Sequence, residues 1–152
     1  MSVVVVDASA RGVRQQIEES KADFLTHWMG SLRLVIGDLP LNNFYLPGSH
    51  NSGTWDMKNK LITHWTQAQT INIREQLEQG ARVIDIRSGD IGAQSRLEDQ
   101  FIFIHNKFES NIREWDGLIM VRDFVDTHPE EIVIIDIHTM KKLGEGYYDF
   151  GA

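Results

Sequence analysis

The sequence predicts a mainly parallel α/β domain. Strand-like and helix-like stretches alternate along it, and Ile132 to Ile137 is a nearly continuous β-branched run, the pattern of a strand buried on both faces. Polar residues also collect just after the apolar cores of the predicted strands. In parallel α/β folds the carboxyl ends of strands form the rim on which sites are built.

The elements follow in order. Residues 13–32 read as one helix, with Ile17, Phe24, Leu25, Trp28 and Leu32 on one face and Glu18, Glu19 and Lys21 on the other. Asn43 to Leu46 look like a short buried strand closed by Pro47-Gly48. Asn72-Ile73-Arg74-Glu75 has the N-cap and N3 acid of a capping box, and Gly80 stands where a helix ending at Gln79 needs a left-handed residue. Arg82 to Ile86 and Gln100 to Ile104 read as strands, with a polar loop from Ser88 to Asp99 between them. Ile112 to Thr127 is an amphipathic helix stopped by His128-Pro129. Residues 1–38 are expected to be a helical lead-in, 39–142 the α/β body, and 143–152 a tail.

The totals narrow the function. The 152 residues suffice for one sizeable core, with 41% apolar and 24% charged residues. A net charge of -7 argues against broad charge-driven binding to nucleic acid or anionic membranes. With no cysteine, disulfides and thiolate metal sites are excluded and a reducing compartment fits. Val3 to Val6 is far shorter than the ~20 apolar residues that span a bilayer, and no signal peptide is read. A cytoplasmic protein is expected, one that would meet any lipid peripherally, through loops at the membrane surface.

The chemistry-bearing residues sit at strand ends. His50 and Asn51 follow the first strand, and Asp85 and Arg87 alternate with Ile84 and Ile86 so that both project from one face. His105 and Asn106 end the third strand, and Asp136 and His138 share a face of the fourth. Any one histidine is more often a surface residue than a catalyst, and His27, His64 and His128 are read that way. Asp85 and Arg87 could by themselves be a structural ion pair. Together the rim residues suggest phosphoryl transfer without a cofactor: two imidazoles exchange protons with a hydroxyl and a leaving oxygen, while an arginine neutralises the phosphate.

These residues lie in motifs that resemble the X domain of phosphatidylinositol-specific phospholipase C. The matching stretches are Leu39-Pro40-Leu41, Leu46 through Thr54 with Pro47-Gly48-Ser49-His50, and Gln76 through Arg87. They continue with Phe103-Ile104-His105 and Phe124 through Ile135. Trp28-Met29 looks like the lead-in of cytosolic, X-domain-only eukaryotic members. The resemblance covers about residues 24 to 140 and implies the N-terminal half of a distorted (β/α) TIM barrel.

It also implies roles. His50 would be the general base toward the inositol 2-hydroxyl and His105 the general acid toward the diacylglycerol oxygen. Arg87 would bind the phosphate, with Asp85 its neighbour in the active site. Asn51 and His138 would contact the substrate. Arg87 stands where calcium-dependent members carry a carboxylate, so no metal or other cofactor is expected; Asn51, shared with that branch, leaves calcium as the alternative. Asn51 carries no charge, so Asp85 would hold Arg87 alone.

A complete barrel takes ~250 residues with a floor near 200, and this sequence offers about four strands. The half barrel would leave an open edge and an uncovered apolar face, so the sequence reads as a fragment, a truncated gene product, or half of an assembly that covers the open edge by self-association. A glycerophosphodiester phosphodiesterase fits less well, since that family shows His-Arg after its first strand and an acid pair on the second. The alternative of another class is a catalytically silent X-domain module that binds inositol phosphate or a protein partner.

Overall fold

The computed structural model describes residues 7–43, 45–92, 94, 96–143 and 146–147. Three helices lead in: α1 (Asp7–Thr26), α2 (Trp28–Ser31) and α3 (Arg33–Ile36). A 3-10 turn at Leu41–Asn43 precedes β1 (Gly48–Ser49), and a second at Lys60–Ile62 precedes α4 (Thr63–Thr66). Then come α5 (Ile73–Glu78), β2 (Val83–Asp90), β3 (Phe101–His105), β4 (Phe108–Arg113), α6 (Glu114–Thr127), β5 (Ile134–Lys142) and β6 (Gly146–Tyr147).

The single predicted helix over 13–32 is broken at His27, and the break has a specific cause. A continuous ladder would join the Met29 and Gly30 amides to the Leu25 and Thr26 carbonyls. Instead Glu131 accepts from both amides, at 3.3 and 2.8 Å. The Arg82 guanidinium donates to both carbonyls, at 3.4 and 2.8 Å. Arg82 and Glu131 are wholly buried and pair with each other at 2.5 Å. A buried ion pair is thus inserted into the helix ladder, which bends the lead-in onto the body.

The sheet runs β4-β3-β2-β5-β6, with β1 alongside β2. Its longest pairing, β2 with β5, is parallel, as is β1 with β2. The mainly parallel expectation needs correction, because β3 runs antiparallel to β2, β4 to β3 and β6 to β5. One of these pairings comes from β4, a strand not anticipated from the sequence. Asn106-Lys107 makes a tight turn, with Asn106 at φ 56°, and folds Phe108–Arg113 back along β3. Ser88 to Asp90, expected in a loop, extends β2 because β3 pairs there: Ser88 lies opposite Phe103 and Asp90 opposite Phe101.

Two strand expectations also shift. Of the residues expected in the first strand, Asn43 ends a 3-10 turn, Tyr45 is fully exposed and Leu46 is not in a strand, while Phe44 lies outside the described residues; the strand falls on Gly48–Ser49. The β5 run is not buried on both faces, since Ile135 and Ile137 are 38% and 55% exposed. Their register partners Ile84 and Ile86 are fully buried. The difference lies in cover: Ile84 and Ile86 join Ile73 and Leu77 of α5, Val121 and Phe124 of α6, and Phe103 in the core. Helices therefore close one face of β2 and leave the same face of β5 bare. The result is a curled half-barrel sheet.

The capping box is as expected. Asn72 Oδ1 accepts from the Glu75 amide at 2.9 Å, Glu75 Oε2 accepts from the Asn72 amide at 2.9 Å, and Gly80 adopts φ 98°. His128, read as a surface residue, is buried instead, stacked on Phe124 at 4.3 Å, with Nδ1 donating to the Phe124 carbonyl.

Candidate active site

The alternation of β2 decides the site. Ile84 and Ile86 enter the core, so Asp85 and Arg87 must project from the opposite face. β1 lies parallel to the start of β2, and the chain leaves it through His50 and Asn51 directly over Asp85. The Asn51 amide donates to Asp85 Oδ2 at 3.0 Å, and the Ser52 amide to the Asp85 carbonyl at 2.8 Å. These bonds hold Asn51 at φ 49°, a left-handed conformation that asparagine tolerates better than most residues. Phe103 locks the turn from the core side, since any side chain at Gly53 would collide with its ring.

Asp85 Oδ2 is shared three ways: it meets the Asn51 amide, His50 Nδ1 at 3.0 Å and Arg87 Nη2 at 3.6 Å. A carboxylate accepts, so His50 Nδ1 carries the hydrogen and Nε2 keeps its lone pair. Asn51 Nδ2 lies 3.2 Å from that Nε2 and donates to it, which agrees with the same tautomer. Three buried polar atoms of this group have no partner among the described residues: Asn51 Oδ1, Asp85 Oδ1 and Arg87 Nε. Unsatisfied buried polar atoms are costly and uncommon, and here three belong to Asn51, Asp85 and Arg87 of one cluster.

His105, at the end of β3, makes no direct bond to this group. Its Nδ1 donates to the Thr66 carbonyl at 2.9 Å, which leaves Nε2 as the atom free to exchange a proton. His138 falls at a bulge. Ile137 pairs with Ile86 and Thr139 with Arg87, so His138 is the extra residue without a register partner. The expected alternation of Asp136 with His138 is broken there: Asp136 pairs with Asp85, but Thr139 takes the position opposite Arg87. His138 is exposed and makes no hydrogen bond or ion pair among the described residues.

Sequence reasoning passed over Thr66 and Gln69. Gln69 Nε2 donates to the His50 carbonyl at 2.7 Å. Nothing in the polar stretch between Trp65 and Asn72 marks either residue, because both act through main-chain contacts distant in sequence.

Comparison with curated proteins gives a 31% identical relative, the human PI-PLC X domain-containing protein 2, matched over 90% of this chain. Over most of its length the chain resembles the PI-PLC X domain-containing proteins. The zebrafish PI-PLC X domain-containing protein 3 is 29% identical over 73% of the chain. The chain spans about half the length of the relatives it matches, 50% and 41% respectively. Among solved structures, phosphatidylinositol-specific phospholipase C of Staphylococcus aureus superposes with a TM-score of 0.67 at 19% identity. That match covers 86% of this chain and 41% of the bacterial one. The Listeria monocytogenes enzyme superposes at 0.55 and 23% identity, over 78% of this chain and 38% of that one. Both place the X-domain half barrel in the TIM-barrel fold of these proteins. No family model matches the chain.

Proposed function

We propose that this chain carries the acid–base half of a phosphodiesterase that cleaves inositol phospholipids. The observation that carries the reading is the His50–Asp85–Arg87 cluster, with its fixed tautomer and its unpartnered Arg87 Nε. His50 Nε2 takes the proton of the inositol 2-hydroxyl, after that hydroxyl displaces the Asn51 amide. The freed oxygen attacks phosphorus, and the bond from phosphorus to the diacylglycerol oxygen breaks. His105 delivers its Nε2 proton to that oxygen. Arg87 neutralises the non-bridging oxygens as charge builds on them. Diacylglycerol and a cyclic inositol phosphate result, and water opens the ring with the two histidines in reversed roles.

The proposal is metal-independent. Asp85 already faces a guanidinium at 3.6 Å, a poor setting for a calcium ion, which takes 6–8 oxygen ligands. No three His, Asp or Glu side chains among the described residues are grouped to hold a metal. Asn51 and His138 are proposed to contact the inositol ring. No helix among the described residues is long and apolar enough to cross a membrane. Contact with lipid is instead assigned to the segment after the His50 turn, where Leu61 and Trp65 are 88% and 75% exposed. A cytoplasmic protein acting at the membrane surface, in lipid metabolism, is the corresponding setting.

The second reading is an X-domain module that binds inositol phosphate or a protein partner without turnover. The bare face of β5, opposite to the site, favours it, because exposed Ile135 and Ile137 offer an apolar surface to a protein partner. Hydrolysis of phosphatidylinositol in mixed micelles separates the two. The phosphodiesterase requires activity that survives chelation and falls by about 10²-fold or more in His50→Ala and His105→Ala. Asp85→Asn, which no longer fixes the His50 tautomer, should lose a comparable factor. Absence of turnover by the pure, folded 152-residue protein would leave the binding module.

A further inference from the structure

Four consecutive residues, from the last of α4 onward, make bonds in and around the site. Thr66 ends α4, so its carbonyl has no partner within that short helix, and it accepts from His105 Nδ1 at 2.9 Å. Gln67 Nε2 donates to the Trp55 carbonyl at 2.9 Å and to the Gln69 carbonyl at 3.0 Å. The Ala68 amide donates to Thr54 Oγ1 at 3.1 Å, and that hydroxyl donates in turn to the Asn51 carbonyl at 2.8 Å. Gln69 Nε2 donates to the His50 carbonyl at 2.7 Å.

The two histidines come from separate strands and share no direct bond among the described residues. β1, which delivers His50, is only two residues long and cannot by itself fix the turn that follows. We propose that residues 66–69 are a brace that sets the position of the His50 turn and the His105 ring relative to one another, with Gln69 as its positioning residue. The proposal rests on the phosphodiesterase reading for its catalytic meaning, but the brace is a physical claim about two imidazoles. Its logic is linkage through one short segment: Thr66 and Gln69 are three residues apart, and Gln67 Nε2 bonds the Gln69 carbonyl, so a shift of Gln69 on releasing His50 is passed along the segment to the Thr66 carbonyl that holds His105. Proximity and orientation of acid and base are worth large rate factors, so a small displacement of the segment is felt in the rate rather than in binding.

The test is imidazole NMR of the full chain labelled with ¹⁵N-histidine, its ring signals assigned with His50→Ala and His105→Ala. Gln69→Leu removes the donor. Gln69→Glu keeps the shape but cannot donate to a carbonyl, which guards against simple misfolding of the first variant. Both should shift the ring signals of His50 and His105 together, while Gln15→Leu on α1 shifts neither. In the micelle assay both Gln69 variants should lower kcat about tenfold with KM changed by less than about twofold. If His105 is unmoved in both Gln69 variants, there is no brace, whatever the activity. If the wild-type chain turns nothing over, the phosphodiesterase reading fails while the paired NMR shift still establishes the brace.

Discussion

At the scale of single residues, the tautomer of His50 is fixed from both sides, by a carboxylate at Nδ1 and an amide donor at Nε2. The cost falls on neighbours, since Asp85 must serve three groups through one oxygen. Glu114 shows a different economy. Its carboxyl is pushed above the ordinary carboxylate value by burial, offset in part by the nearby Ser88 hydroxyl. Glu114 Oε2 and Ser88 Oγ both lack a hydrogen-bond partner among the described residues. Because the folded value is raised, the native chain holds more protons than the unfolded one between the ordinary and the raised value. Glu114's contribution is therefore most favourable below the ordinary range, and stability falls as pH rises through the raised value. Glu114→Gln should flatten that slope and gain about 1 kcal/mol at neutral pH, read from urea melts across the acid range. Asp85 and Arg87 were legible in the sequence because a strand alternates. Thr66 and Gln69 were not, because a main-chain acceptor and a lone glutamine leave no pattern.

Among the elements, the break between α1 and α2 carries the most information. Its cause lies 49 residues apart in sequence, in the paired Arg82 and Glu131. Apolar spacing over 13–32 reported a helix correctly and could not report where a foreign ion pair takes over the ladder. Removing one member leaves a buried charge alone, so Glu131→Gln or Arg82→Met should cost about 3–5 kcal/mol in a urea melt. The pair Arg82→Met with Glu131→Met should cost much less, and it frees the Met29 and Gly30 amides to rejoin the Leu25 and Thr26 carbonyls. A gain in helical circular dichroism in the double variant alone would report that reclosure. The β3–β4 hairpin was missed for the opposite reason. Phe108, Ser110 and Ile112 alternate with Glu109, Asn111 and Arg113, but Ile112 also begins the helical spacing of α6, and the longer pattern dominated.

Over the whole molecule, one face of the sheet is covered by helices over β2 and bare over β5. Covered Ile84 and Ile86 beside exposed Ile135 and Ile137 give the proposed self-association its physical basis. A second copy seated on β5 should appear in equilibrium sedimentation at micromolar concentration as a mass above one chain, and Ile137→Lys should return it to one. The parallel β2–β5 pairing and the core were foreseeable from apolar runs, whereas the bareness of β5 depends on which helices are present to cover it. The lead-in helix has a consequence of its own. Every α1 side chain from Gln15 to Phe24 is exposed, and among the described side chains of α1 the ties to the body are those of Leu25 and Thr26, the latter donating to the Glu78 carbonyl at 3.1 Å. A helix held at one end has little but its own marginal propensity upstream. Amide hydrogen exchange should therefore be graded along it: fast and insensitive to denaturant before Phe24, slow at Met29, and slowest at Ile84 and Ile86, which exchange only when the entire body opens.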